Sequence, residues 1–332
     1  MTSRREDADL ARIAEVLQAA DNIVLCGHVS PDGDCIGSQL ALAAALHDMG
    51  KRATCLLVKD EPIDFGLRFL PGASDMVVAE SFHGECDLFV TLDVPTLARM
   101  GDAASQLHAK ASMSITLDHH PSQQRMSQLN YIDTNAAACA LIVWKLIALM
   151  NVQVSADVAT CCYTGTITDT GRFQYQNTNV EVLECAASMV GAGANPAQIA
   201  AQVYQNRSRA SLSLEARALD RMQILCGGEF AVSYLLRSDF VEAGAEKSDA
   251  EPLIDVIRSI RGIRVACILR QQISGVRGSL RAKDDTDVAQ IAARLGGGGH
   301  KAAAGFTLDT TIDRALDLIY GEFDALQAGK RL

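Results

Sequence analysis

Six histidine and aspartate side chains, spread over four short segments, are the residues of this chain best equipped for chemistry. The first segment, GHVSPDGDCIGS, places His28, Asp32 and Asp34 directly after the apolar run NIVLC and before an apolar, helix-like run. In an open α/β sheet, ligands bind just outside the carboxyl ends of strands. Pro31 and Gly33 shape a turn in which both carboxylates can face one cavity. Asp34 alone would also serve as a helix N-cap, but an imidazole and two carboxylates together suit ligand chemistry better. Asp93 ends the apolar run DLFVTLD, where a carboxylate is costly unless paired or metal-bound; as a single residue it reads equally as a turn. Arg99, close behind it, could reach an anion or a carboxylate. Asp118, His119 and His120 follow another apolar run. Adjacent side chains on a strand point to opposite faces, yet at a strand end they can splay, so that one histidine binds metal while the other meets substrate. Asp118 could orient a ligand histidine from behind. Asp169 closes an apolar helical run, where a carboxylate opposes the helix dipole; a bound cation removes that objection.

His28, Asp32, Asp34, Asp93, His119 and Asp169 form a nitrogen and oxygen donor set without thiolate. Such a set suits Mn2+, Fe2+ or Mg2+ better than structural zinc. Six ligands are too many for one ion with an open position and fit two ions about 3.5–4 Å apart, bridged by one carboxylate. A further cluster lies near the C-terminus: Arg281 in GSLRA, then Gly296, Gly297, Gly298, Gly299 and His300. Consecutive glycines let backbone N–H groups approach an anion, and Arg281 and His300 would add charge-assisted bonds to a phosphate. Glycines alone would read as a flexible loop. No Ser or Thr follows Lys301, so this is not a nucleotide-binding P-loop.

The elements that must position these groups alternate in type. Strands are predicted over 22–26, 53–58, 87–92 and 112–117, and helices over 36–49 (stopped by Gly50), 136–150 and 156–168. That is the α/β alternation of a parallel sheet covered on both faces. Residues 180–225 read as mostly helical, broken at 191–196. Beyond the Cys226-Gly227-Gly228 stop come strands near 230–236, 264–269 and 278–281, a helix over 286–295, a Gly-rich loop, a strand over 303–308 and a final helix. The expectation is a metal-binding domain over 1–195, a helical linker over 196–228 and a smaller α+β substrate-binding domain over 229–332.

With 332 residues and 48% hydrophobic content, the chain can bury two cores. Its net charge of −10 and 5% aromatic content, with Trp144 the single tryptophan, argue against gripping a long nucleic acid and for a small phosphorylated substrate. None of the ten cysteines forms a C-x-x-C pair, which points to a reducing cytoplasm and no disulfide framework. The start, MTSRREDADLARIAEVL, is charged and lacks an apolar signal core, and no apolar stretch reads as a membrane span; the run over 36–46 is better read as a buried helix.

GHVSPDGDCIGS, LFVTLDVPTLARMG, ITLDHHP and YTGTITDTGRF resemble, in order, the four N-terminal motifs of the DHH phosphoesterase family. GSLRA and GGGGHKAAAGF resemble its associated C-terminal domain. Size and domain pairing are similar to the nanoRNase and pAp-phosphatase branch, whose members degrade very short oligoribonucleotides and dephosphorylate 3′-phosphoadenosine 5′-phosphate, typically with Mn2+ and often as homodimers. The resemblance implies that His28, Asp32 and Asp93 hold one ion. Asp34, Asp93, His119 and Asp169 would hold the other, with Asp93 bridging. His120 would contact the scissile phosphate, as would Arg281 and His300 across an interdomain cleft, with Asp118 counted among the catalytic residues and Gly297–Gly299 among the phosphate-binding ones, and an ion-activated hydroxide would attack phosphorus in line. Ala282, where Ser often follows the Arg, and Cys139, where Thr is common, depart from the pattern and bear on substrate preference. The expected partners are short RNA oligonucleotides or small nucleotides and a second copy of the chain, with no membrane. A phosphodiesterase for cyclic or linear dinucleotides is the nearest alternative. A RecJ-type exonuclease would want additional binding modules, a family II pyrophosphatase would lack the GGGGH domain, and a non-catalytic nucleotide sensor would show a broken ligand set.

Overall fold

The apolar runs expected as buried strands form the middle of a seven-stranded sheet whose strand order reverses beside the first ligand loop. The computed structural model describes residues 5–121 and 124–329; the first four residues of the charged amino-terminal stretch lie outside them. The chain divides into two compact units after Asn206.

The first unit contains, in order, β1 (Glu6–Asp7), α1 (Leu10–Ala19), β2 (Asn22–Cys26), α2 (Gly33–Asp48), β3 (Arg52–Leu57), β4 (Val77–Val78), β5 (Leu88–Leu92), α3 (Leu97–Lys110), β6 (Met113–Asp118), β7 (Leu129–Ile132), α4 (Cys139–Leu149), α5 (Ala156–Asp169), α6 (Val180–Gly191) and α7 (Pro196–Tyr204). The sheet order is β1-β7-β6-β5-β2-β3-β4, and every pairing is parallel. After β2 the chain runs outward to β3 and β4, then returns to the other side of β2 as β5. The loops leaving β2 and β5 therefore diverge, and a crevice opens at the carboxyl ends of the strands at such a switch point.

Both faces of this sheet are buried, as a parallel sheet requires. Ile23 and Leu25 of β2, with Val90 and Leu92 of β5, pack into a core shared with α1, α2, α4 and α5. Val24, Cys26 and Phe89 point the other way, against Met100 and Ala104 of α3. Helices α2 and α5 touch nearly backbone to backbone. A Cβ on Gly37 would lie 2.5 Å from the Cys161 carbonyl oxygen, and only glycine permits that approach.

Two predicted boundaries move for local reasons. The helix expected from residue 36 begins at Gly33, because Asp32 is its N-cap and accepts the Cys35 N–H at 3.0 Å. The helix expected from 136 begins at Cys139, with Ala138 extended as its N-cap. Strands β1, β4 and β7 are short and carried no period-2 signal strong enough to predict.

The second unit contains α8 (Arg209–Asp220), β8 (Gln223–Leu225), β9 (Phe230–Leu235), α9 (Arg237–Ala243), α10 (Leu253–Ser259), β10 (Val265–Gln271), β11 (Val276–Ala282), α11 (Val288–Arg294), β12 (Gly298–His300), β13 (Ala303–Leu308) and α12 (Ile312–Gly329). Its sheet runs β12-β13-β11-β10-β9-β8. Only β9 and β10 pair in parallel; the remaining pairs are antiparallel. The segment 196–228, expected as a helical linker, supplies α7 to the first unit and α8 and β8 to the second. The expected Gly-rich loop is corrected in part: Gly298–His300 is an edge strand laid against β13.

Candidate metal centre

The ligand candidates leave the carboxyl ends of β2, β5 and β6 and the end of α5. Asp93 directly follows β5 with φ +61°, a left-handed conformation that Asp tolerates better than most residues. Its N–H is fixed by the Leu117 carbonyl at 3.0 Å. The turn aims the two carboxylate oxygens at different histidines: Oδ2 lies 3.3 Å from His28 Nε2, and Oδ1 lies 3.3 Å from His119 Nε2. Asp32 Oδ2 is 3.8 Å from His28 Nε2. Asp169 Oδ2 is 3.3 Å and Asp34 Oδ2 3.7 Å from His119 Nε2. All six residues thus gather in two groups that share Asp93. His28, Asp34, Asp93 and His119 are buried, while the Asp32 side chain keeps 55% of its exposure, so that group opens to solvent.

Both histidines are turned for ligation. Nδ1 of His28 faces the Val29 carbonyl at 2.9 Å, and Nδ1 of His119 faces the Ala136 carbonyl at 3.1 Å. A proton on each Nδ1 leaves each Nε2 lone pair for a metal. Asp118 serves His120 rather than the ligand candidate His119. Its Oδ1 accepts from His120 Nδ1 at 2.8 Å and from the His119 backbone N–H at 2.9 Å, so its side-chain partner is His120. Asp34, open to a capping reading, does cap a helix, but α4 in place of its own. Its carboxylate accepts the Cys139 N–H at 2.6 Å and the Ala140 N–H at 2.8 Å, and Ser38 Oγ lies 3.3 Å away. Ser38 was not singled out from the sequence, and Cys139 only as a departure from the family pattern, since contacts between segments this distant leave no local pattern.

The electrostatics call for cations. Burial, aided by the charge of Asp93, pushes the Asp34 carboxyl up to about 7. Asp169 is held well above the usual carboxylate range by burial and by the charge of Asp34. Asp93 goes the other way: burial would raise it, but the facing imidazoles of His119 and His28 hold it well below. Burial opposes a charged His28, yet Asp32 and Asp93 lift it to about 10. Imidazolium protons here do the work of missing positive charge. In addition, Asp93 Oδ1 is buried without a hydrogen bond, which is costly in a finished site. Carboxylate and imidazole donors, an excess of buried negative charge and that orphaned oxygen fit divalent cations. The Cys35 sulfur sits beside His28 and Asp93, but burial pushes its thiol well above the ordinary value, and it accepts the His28 N–H at 3.2 Å.

Of the other predicted contacts, Arg99 Nη2 is 3.2 Å from His28 Nδ1, and the Arg99 carbonyl accepts the Val29 N–H at 2.7 Å. In the second unit, strand register sets Arg281 opposite Ala303 and Ala303 opposite His300, so Arg281 and His300 share one sheet face. The glycines divide by role. Gly296, at φ +77°, and Gly297 donate to the carbonyls of Ala293 (3.1 Å) and Ala292 (2.7 Å), a Schellman closure of α11. The Gly297 N–H is therefore spent on the helix, while Gly298 and Gly299 belong to the edge strand paired with β13.

Residues 22–166 match the DHH family, N-terminal domain, and residues 227–325 match the DHHA1 domain. The bifunctional oligoribonuclease and PAP phosphatase NrnA of Thermus thermophilus is 34% identical over 316 residues, covering 93% of each chain. The protein of the same name from Bacillus subtilis is 26% identical over 293 residues, covering 87% of this chain and 90% of that one. Among solved structures, an exopolyphosphatase-related protein from Bacteroides fragilis matches with a TM-score of 0.89 at 25% identity over 97% of both chains. Exonuclease RecJ bound to manganese shares the fold, with a TM-score of 0.54 at 16% identity over 97% of this chain and 94% of that one. Among the described residues, no helix is long and apolar enough to cross a membrane.

Proposed function

The chain belongs to the DHH family, and from that premise we propose that it is a phosphoesterase using two divalent cations, Mn2+ foremost, to hydrolyse short oligoribonucleotides and 3′-phosphoadenosine 5′-phosphate. The observation that carries the reading is Asp93, whose two oxygens each face a different histidine at 3.3 Å. His28, Asp32 and Asp93 would hold one cation, and Asp34, Asp93, His119 and Asp169 the other. When bound, such a pair supplies Lewis acidity at the phosphoryl oxygens and lowers the pKa of attacking water.

The chain's own groups do the rest. Asp118 holds His120 through Nδ1 and so orients the ring, whose Nε2 suits a phosphoryl oxygen or the leaving group. Arg99, a half-buried guanidinium beside His28, suits a phosphate oxygen of the substrate. In the second unit, Arg281 and His300, with Gly298 and Gly299, offer a phosphate-binding sheet face. The relatives named NrnA support this substrate class. The acidic, aromatic-poor composition favours small substrates over long strands. All ten cysteines are free, which favours a reducing cytoplasm.

Turnover of 5′-labelled dinucleotides and trinucleotides, 3′-phosphoadenosine 5′-phosphate, a cyclic dinucleotide and a long single strand, each with Mn2+, tests the reading. The short linear substrates and the bisphosphate should be consumed fastest. Turnover confined to the cyclic dinucleotide would favour the phosphodiesterase alternative, and binding without turnover would favour a sensor.

A further inference from the structure

We propose that Asn177 is a positioning residue that sets the geometry of one cation position and leaves the other alone. The proposal rests on the two-cation reading above. Ligand atoms of Asp34, His119 and Asp169 lie within 4.8 Å of one another, and all three are tied to one short strap, residues 136–140. His119 is tied through Nδ1 to the Ala136 carbonyl at 3.1 Å. Asp34 is tied through the Cys139 and Ala140 N–H groups at 2.6 and 2.8 Å. Asn177 supplies the third tie: its Nδ2 donates to the Ala137 carbonyl at 3.2 Å and to the Asp169 carbonyl at 3.1 Å.

A side-chain amide nitrogen carries two N–H donors, and here each has a carbonyl to meet. Because both neighbours accept, the orientation of the amide is fixed by its partners. Asp169 is the last residue of α5, so its carbonyl is among those a helix leaves without an intrahelical partner. The amides that follow turn back to Thr166, Ile167, Thr168 and Thr170, and Asn177 takes the Asp169 carbonyl. One exposed side chain thereby fixes the distance between the backbone of Asp169 and the strap that orients His119 and Asp34.

The other position has separate supports. His28 leans on its neighbour Val29, and Asp32 on the N–H of Cys35. Loss of the clamp should therefore be felt on one side of Asp93 only. No feature of the sequence announces this, because an Asn in the polar stretch QYQNTNVE reads as an ordinary loop residue.

Calorimetric titration of the metal-free full chain with Mn2+ tests the clamp. The Asn177→Ala variant should weaken one of two binding events by on the order of 10–100-fold and leave the second within about twofold. In activity assays the Mn2+ concentration for half-activation should rise, with kcat recovering at saturating metal. The control is Asn179→Ala, which removes the N-cap of α6, where Asn179 accepts the Val182 N–H at 3.0 Å; it should leave both events unchanged. Equal weakening of both events, no weakening of either, or the same pattern from Asn179→Ala would overturn the clamp. A wild-type chain that takes up no Mn2+ would instead defeat the two-cation reading, and the clamp with it.

Discussion

An Asp93→Asn variant should fold normally and lose on the order of 10^3-fold in kcat/KM toward dinucleotides, equivalent to the several kcal/mol that bound cations contribute to the transition state. Asparagine keeps the volume of the buried side chain but supplies one oxygen where two are needed. Its amide nitrogen must then point at either His28 or His119, the imidazoles that the native oxygens face at 3.3 Å. The same change at Asp32 should cost less, since that side chain is 55% exposed and belongs to one group only. The comparison separates bridging from general loss of charge. Steady-state kinetics of both variants, with circular dichroism to verify folding, would decide it. Equal losses at the two positions would contradict the special place of Asp93.

The second large effect is expected from a residue that touches no ligand. Gly37→Val should destabilise the protein by about 1–3 kcal/mol through overpacking and lower kcat by on the order of 10^2-fold through misplacement of the site. A Cβ at this position would meet the Cys161 carbonyl oxygen at 2.5 Å and the Gly165 nitrogen at 3.2 Å. Both are backbone atoms and cannot swing aside, so α2 must part from α5. Asp34 lies in the first turn of α2 and Asp169 ends α5, so the separation reaches two proposed ligands of the same cation. Thermal denaturation and kinetics measure the two consequences. Native stability with native turnover would mean that the helices tolerate the shift.

The order of these effects explains what the sequence could reveal. Four of the six proposed ligands were legible because they stand at the end of an apolar run, and such runs form buried parallel strands or helices whose ends must be polar. His28, Asp93, His119 and Asp169 all follow that rule. What escaped was everything that depends on contact between distant segments. Asp34 looks like a cap for its own helix; it caps α4, more than a hundred residues away, while Asp32 takes the local role. Asp118 looked free to serve a ligand histidine, and the chain's turn after β6 gives it to His120. The glycine run looked uniform. Its first two members close α11, and its last two enter an edge strand, a division that only the pairing with β13 creates. Residues 136–138 of the strap were predicted as part of the helix over 136–150; instead the carbonyls of Ala136 and Ala137 serve His119 and Asn177. Local propensity yielded to the needs of the site.

Anomalous scattering from a crystal of the full chain soaked in Mn2+ addresses the shared carboxylate most directly. Two peaks about 3.5–4 Å apart are expected, one flanked by His28 and Asp32, the other by Asp34, His119 and Asp169, with an oxygen of Asp93 on each. A single peak, or an Asp93 carboxylate that touches only one of the ions, would contradict the account.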